Sequence, residues 1–269
     1  ALSSAASDVY KRQVEPSLTK GEKENITVKC ENNRYTISGT IPKRKDRYRL
    51  YLSIARPDSL FITDLQEKFQ TAGIEVKNSN LGQLPETTWF HYPSDYLGDI
   101  VHSLNVRSDN LYAESVLRLL SLSVHEKGSA EKGIDIIRKY WQNYEADSLE
   151  LFMYDGSGLA RNNKVSAKYL NCVLKETARD SLIGEYFVQT LPLAGKEGSV
   201  ATFMKHGELP GELRLKSGSM SDVHAYAGYY TTPQNRYAIV VMINNYTCTR
   251  AQLKQKISTL LTQVLSKKE

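Results

Sequence analysis

Leu213-Arg214-Leu215-Lys216-Ser217-Gly218-Ser219-Met220-Ser221-Asp222-Val223-His224-Ala225-Tyr226-Ala227-Gly228-Tyr229-Tyr230 is the stretch from which the rest of the chain can be read. It opens on alternating Leu213 and Leu215 and passes through a cation, a small hydroxyl and a glycine. A polar turn follows, then a β-prone run from Val223 to Thr232. The pattern is a strand carrying a fixed positive charge beside a hydroxyl, with bare backbone next to both. Gly218 lets a ligand approach the main chain closely. Lys216 as a point charge and Ser217 as a donor suit a carboxylate. Three such residues alone are more often an exposed turn between strands, so the assignment needs company elsewhere in the chain.

That company lies upstream. Ser108-Asp109-Asn110 precedes Leu111-Tyr112-Ala113-Glu114. A Ser-x-Asn motif followed about a hundred residues later by Lys-Ser/Thr-Gly is far more specific than either motif alone. Serine in place of threonine at 217 keeps the hydroxyl and loses a methyl. Between the two motifs, in order, lie Asp155-Gly156-Ser157-Gly158-Leu159-Ala160-Arg161 and Leu191-Pro192-Leu193-Ala194-Gly195-Lys196-Glu197-Gly198-Ser199.

Together these segments resemble the penicillin-binding D-alanyl-D-alanine carboxypeptidase/endopeptidase family, serine peptidases that trim peptidoglycan stem peptides. The resemblance covers the chain from about Asn33 to the C-terminus. It implies an α+β, β-lactamase/transpeptidase-like fold: an antiparallel sheet flanked by helices, here incomplete at the N-terminus. It also implies an acyl-enzyme mechanism that needs no metal or organic cofactor. Ser108 would relay a proton toward the leaving amine. The Asn110 amide would bind the substrate backbone. Lys216 and Ser217 would hold the terminal carboxylate beside Gly218, and the Ser219 N–H would be one donor of the oxyanion hole. The partners implied are a stem peptide ending in D-Ala-D-Ala, and β-lactams as inhibitors of the full-length protein. The location implied is periplasmic or otherwise extracytoplasmic.

One family element is missing, the nucleophile motif Ser-x-x-Lys, whose i and i+3 side chains share a helix face so that the lysine can take the serine proton. Ser17-Leu18-Thr19-Lys20 has the letters, but charged Gly21–Asn25 follows without an apolar stripe to bury a helix. It reads as linker. The chain as written is therefore expected to be an inactive part of an enzyme. Two alternatives use the same features: a non-catalytic relative that only binds the stem peptide, and a β-lactamase or esterase on the same fold. The Asp155–Gly158 segment and the accessory-domain tail argue against the second.

The chain has 269 residues, 41% hydrophobic and 24% charged, ordinary values for a packed core. A net charge of +5 and a sequence pI of about 8.9 suit a polyanionic surface such as a cell wall. They are too weak and scattered to argue for nucleic acid. No apolar run approaches the roughly 20 residues of a membrane span. Cys30, Cys172 and Cys248 show no Cys-x-x-Cys spacing and demand no disulfide. The five histidines, His91, His102, His125, His206 and His224, show no ligand spacing and read as ordinary surface or core residues. Residues 1–13 lack an initiator methionine, a basic n-region and a long apolar h-region, so they are not an intact signal peptide. They resemble adapter read-through at the end of a gene fragment and are expected to be a non-native leader. Residues 14–47 are expected to be the tail of an inserted β-rich accessory domain, and 48–269 the C-terminal part of the catalytic domain.

Several elements can be placed in advance. Strands are expected at 26–28, 34–42, 49–54 and 88–92, and helices at 59–72, 96–104 with Ser94 as cap, 111–124, 130–144, 166–177 and 182–189. The Asp155–Gly158 turn is expected to shape backbone rather than do chemistry. The nearly continuous apolar run Tyr237–Ile243 predicts a strand central in the sheet. A helix over 250–265 closes the chain.

Overall fold

The structure is a computed structural model that describes residues 17–21, 25–31, 34–42, 56–76, 91, 93–144, 150–205 and 209–267. The expected strands at 49–54 and 88–92 fall outside these residues, save for His91. The chain divides into two units, residues 1–89 and 90–269.

Among its described residues the first unit holds a three-stranded sheet and one helix. Strands β1 (Ser17–Gly21), β2 (Asn25–Glu31) and β3 (Arg34–Pro42) are ordered β1-β3-β2. β2 and β3 form an antiparallel hairpin, and β1 runs parallel to β3. The segment read as a linker, Ser17–Lys20, is thus a strand. Positions alternate between the two faces of a strand, so i and i+3 do not share one as they do on a helix. Helix α1 (Pro57–Thr71) takes Pro57 at its first turn, where a missing N–H is harmless, and stops before Gly73 at φ +75.

The second unit carries the site. Its centre is the antiparallel sheet β6 (Glu212–Met220), β7 (Val223–Thr231) and β8 (Arg236–Asn244), in that order. The period of two sorts the side chains onto two faces. Leu213 and Leu215 of β6, Tyr226 and Tyr230 of β7 and Ile239 of β8 pack against helix α7 (Arg250–Leu265) through Leu253, Ile257, Leu261 and Leu265. Tyr229, with Ala227, Ala238 and Val240, faces the opposite layer, where Leu174 of helix α5 (Ala167–Arg179) and Val188 of helix α6 (Gly184–Thr190) cover it. Helix, sheet and helices form three layers. The Tyr229 hydroxyl donates to the Leu174 carbonyl at 2.7 Å, so the buried ring keeps its polar end satisfied.

The expectation that Tyr237–Ile243 is central in its sheet is met on one side only among the described residues, and the expected strand at 49–54 lies outside them. Among the described residues β8 is an edge strand and β7 is the central one. The apolar run of β8 reflects coverage on both faces, by α7 and by α5, and two-sided burial says nothing about how many neighbours a strand has. Around the sheet lie α2 (Leu97–Arg107), α3 (Asn110–Leu122), α4 (Ala130–Trp141) and the short pair β4 (Leu151–Phe152) and β5 (Lys164–Val165). Ser94 does not cap α2; Tyr96 stands at the N-cap position, and Ser94 Oγ donates to the Asp95 carbonyl instead. α3 buries only one stripe, Leu117 and Ser121, while Leu111, Leu119 and Leu122 are exposed.

Candidate functional site

The junction of α2 and α3 creates the first half of the site. Ser108 ends α2 in the left-handed conformation, φ 55 and ψ 52, which a residue with a Cβ adopts only at a cost of about 1–2 kcal/mol. Asp109 then caps α3, accepting the Tyr112 N–H at 3.0 Å. Capping by Asp109 leaves the Ser108 hydroxyl for other work. Of the two neighbours, Asp109 caps α3 with its side chain and Ser108 does not. Asn110 is the first residue of α3 and its side chain is exposed.

The second half is β6. Lys216 lies opposite Ala227, and Arg214 opposite Tyr229, so both basic residues point to the α5–α6 side of the sheet. Lys216 Nζ donates to Ser108 Oγ at 2.9 Å and to the Ser217 carbonyl at 2.8 Å. An ammonium has three N–H donors, so one remains for a ligand. Burial pushes the Lys216 pKa below its ordinary 10.5. The two sequence motifs, 108 residues apart, are thus joined by one hydrogen bond. The direct contact is made by Ser108; Asn110 stands two residues further on.

The open edge of β6 is the third feature. The Leu191–Ala194 segment runs antiparallel beside the start of β6. Ala194 donates to the Leu213 carbonyl at 2.8 Å, the Leu215 N–H donates to the Pro192 carbonyl at 3.0 Å, and Leu193 bridges Arg214. Odd-numbered residues of β6 therefore turn their N–H and C=O groups to this edge. Ser217 and Ser219 continue the same row, and among the described residues no strand pairs with them. Gly218 is exposed, and a Cβ there would meet nothing within 4 Å. The edge at 217–219 is accessible main chain of the kind that binds an extended peptide by strand addition.

Sequence reasoning passed over three residues that shape this region. Ser217 Oγ donates to Ser199 Oγ at 2.7 Å. Ser199 is held there by Gly198, at φ +51, where a Cβ would sit 2.2 Å from the Val106 carbonyl oxygen of α2. Arg214 donates to the Leu191 carbonyl at 3.1 Å and lies 4.0 Å from Glu197, whose carboxylate accepts the Leu193 N–H at 2.8 Å. The third is Glu114, on α3. Its Oε1 accepts the N–H groups of Gly156 and Ser157, both at 3.0 Å. Only Ser199 carried a local signal, a small hydroxyl directly after a glycine.

The Asp155–Gly158 turn is a backbone device, as its composition suggested. The Asp155 carboxylate accepts from the Gly158 and Ala160 N–H groups and from Asn163 Nδ2. Burial raises its pKa, but the Asn163 amide and the Ala160 and Gly158 N–H groups outweigh that and hold it below the usual carboxylate range. Glu114 clamps this turn to the helix that follows the Ser108 motif. Replacing Glu114 by alanine strands two N–H groups and is expected to lower stability by about 1.5–3 kcal/mol. Glutamine, which keeps one acceptor oxygen, should lose less. Urea denaturation of the two variants measures the difference.

Neither literal Ser-x-x-Lys in the chain lies within a helix. Ser17–Lys20 lies in β1. In Ser129-Ala130-Glu131-Lys132 the serine hydroxyl is the cap of α4, accepting the Lys132 N–H at 3.4 Å. Among the described residues no group of three or more His, Cys, Asp or Glu side chains could hold a metal ion, and no helix is long and apolar enough to cross a membrane. Cys172 and Cys248 form no disulfide.

The model of the D-Ala-D-Ala carboxypeptidase 3 (S13) family matches residues 4–267. The D-alanyl-D-alanine carboxypeptidase DacB of Haemophilus influenzae is 25% identical over 240 residues, 86% of this chain and 50% of that protein. The D-alanyl-D-alanine carboxypeptidase of Actinomadura sp. (strain R39) is 24% identical over 226 residues, 80% of this chain and 42% of that protein. The chain thus spans half or less of the length of these curated relatives. The crystal structure of penicillin binding protein 4 (dacB) from H. influenzae, complexed with a β-lactam, has the same fold. Its TM-score is 0.71 at 23% identity, with 90% of this chain and 59% of that one covered.

Proposed function

This chain belongs to the D-Ala-D-Ala carboxypeptidase 3 (S13) family, and from that premise we propose that it forms the substrate-holding side of a serine-type D-Ala-D-Ala carboxypeptidase/endopeptidase. The substrate is a peptidoglycan stem peptide, cleaved through an acyl-enzyme. The observation that carries this reading is the hydrogen bond from Lys216 Nζ to Ser108 Oγ beside an open strand edge.

The roles follow from the donors and acceptors. The peptide lies antiparallel along Ser217–Ser219, beyond the point where the Leu191–Ala194 segment leaves the edge. Its terminal carboxylate meets the remaining Lys216 N–H and the Ser217 hydroxyl, whose hydrogen turns from Ser199 Oγ to the ligand, and both are charge-assisted hydrogen bonds. The scissile carbonyl oxygen is met by the Ser219 N–H. One such donor is typically worth about 3–4 kcal/mol in the transition state. Lys216 donates to Ser108 Oγ, so the Ser108 O–H is free to be passed toward the leaving amine, and the Asn110 amide steadies the peptide backbone. The serine that is acylated, with its lysine, belongs to a Ser-x-x-Lys helix that neither Ser17–Lys20 nor Ser129–Lys132 supplies. β-Lactams mimic the substrate in the full-length protein. Peptidoglycan lies outside the cytoplasmic membrane, so the protein works there.

The test is made on the chain itself. Titration with an N-acetylated D-Ala-D-Ala dipeptide should shift the amide signals of Ser217, Gly218 and Ser219. The C-terminal amide of the same dipeptide should bind more weakly. Fluorescent penicillin should leave no label that survives denaturation. A dipeptide that binds elsewhere, or with no preference for the free carboxylate, would sink the peptide-site reading. A stable penicillin adduct would put the nucleophile within these residues and overturn its assignment to another segment.

A further inference from the structure

His224 is buried behind the strand that faces the ligand, with only 2% of its surface exposed. It lies opposite Ser219 in the β6–β7 ladder, and its Nδ1 is 3.0 Å from Ser219 Oγ. Its other nitrogen, Nε2, is buried without a hydrogen-bond partner among the described residues. The mechanism above uses the Ser219 main chain and leaves both this hydroxyl and this imidazole unexplained.

We propose that His224 is a positioning residue for the Ser219 hydroxyl: the neutral imidazole donates its Nδ1 proton to Ser219 Oγ, which frees the Ser219 O–H for a ligand carboxylate at the open edge. The proposal rests on the peptide-site reading given above.

Donor counting carries it. A neutral imidazole has one N–H and one bare nitrogen. In one tautomer Ser219 spends its hydrogen on Nδ1, and the single imidazole N–H is left at Nε2, buried with no acceptor. In the other tautomer the N–H sits at Nδ1, bonded to Ser219, and only a lone pair goes unmatched at Nε2. The second arrangement makes the same hydrogen bond, orphans no donor, and leaves the hydroxyl hydrogen of an exposed residue uncommitted. The ring is held in place as well as held neutral. The Tyr226 ring meets it edge-on, with centroids 4.8 Å apart. Burial, then the positive charges of Lys254 and Arg250 on α7, push its pKa below 6.5. The groups bearing on the imidazole are thus Ser219 from β6, Tyr226 from β7, and Lys254 and Arg250 from α7. A fixed hydroxyl donor beside Lys216 and Ser217 would give a carboxylate a third hydrogen bond at small entropic loss.

The tautomer can be observed directly. In the 15N-labelled chain near pH 7.5, a long-range proton–nitrogen correlation assigned with His224→Asn should show Nδ1 protonated and Nε2 bare. Protonation at Nε2, or at both nitrogens, overturns the proposal whether or not any ligand binds. The second measurement compares the acetylated D-Ala-D-Ala dipeptide with its C-terminal amide. His224→Phe should weaken the carboxylate form roughly 5- to 10-fold and leave the amide form unchanged. His224→Asn, whose amide N–H can take the place of Nδ1–H, should restore most of the loss. Equal weakening of both ligands, or no weakening, overturns the positioning role. If the unmodified chain fails to distinguish the two ligands, the peptide-site reading falls, while the tautomer still decides what His224 does to Ser219.

Discussion

Lys216→Met should lower the affinity of the chain for a D-Ala-D-Ala carboxylate by roughly 10- to 100-fold, the worth of a hydrogen bond to a charged group, and should leave thermal stability unchanged or raised. The first half follows from the free N–H of an ammonium already fixed on Ser108 and on the Ser217 carbonyl. Methionine keeps the apolar stem and loses the charge. The second half follows from the depressed Lys216 pKa, whose cause is burial. Between that depressed value and the ordinary 10.5, the folded chain binds fewer protons than the unfolded one, so stability rises with pH across this alkaline window. Below it the ammonium is charged in both states, and the burial penalty is present in full at neutral pH. Removing the charge removes the penalty and flattens the alkaline rise. Thermal melts of both proteins between pH 7 and 11 check this. A variant that is markedly less stable at pH 7 would show that Lys216 is structural cement and not a group held for a ligand.

Gly198→Ala is the second large effect, expected to destabilise by about 2–4 kcal/mol. Two causes act together. The residue sits at φ +51, which a side chain resists, and the new Cβ would lie 2.2 Å from the Val106 carbonyl oxygen and 2.9 Å from its carbon. Both are backbone atoms of α2's last turn, which cannot rotate away. The loop must lift from the helix, and Ser199 leaves Ser217 with it. Dipeptide binding should therefore weaken along with stability. Gly218→Ala is the contrasting variant. A Cβ at 218 meets nothing within 4 Å, so stability should stay within about 0.5 kcal/mol while the ligand loses room at the strand edge. Chemical denaturation and the dipeptide titration separate the two. A Gly198→Ala protein as stable as the parent would mean that the loop is not pinned by α2.

Much of this organisation could be read in the chain itself. The apolar spacing of Leu253, Ile257, Leu260, Leu261 and Val264 marks α7, and its observed bounds, Arg250–Leu265, are those the sequence predicts, although Leu260 and Val264 are exposed and Leu265 is buried in their stead. Ser166 before Ala167–Arg179 names its own helix start by capping it. The alternation of β6 and β7 likewise shows in the residues, as does the pairing of a Ser-x-Asn with a Lys-Ser-Gly. These are local signals, set by periods of two and 3.6 residues and by the chemistry of short motifs.

What the sequence could not show is every contact made across a long loop. Alternation says that Leu215 and Lys216 face opposite ways, but only packing shows that the Lys216 face is the one where Ser108 stands, brought there by a left-handed serine that no motif announces. The apolar run of β8 reads the same for a central strand as for an edge strand buried on both faces, because side chains report coverage and not backbone pairing. Glu114 and His224 are unremarkable in sequence for the same reason, and the glycine before Ser199 does not say what the Ser199 hydroxyl meets. Their partners, Gly156, Ser217 and Ser219, acquire meaning only when the fold sets them about 3 Å away, the distance at which a hydrogen bond exists at all. Composition and periodicity determined the elements and the chemistry available to them. The tertiary structure alone decided which donors meet which acceptors, because hydrogen-bond energy falls off within an ångström while sequence separation carries no distance.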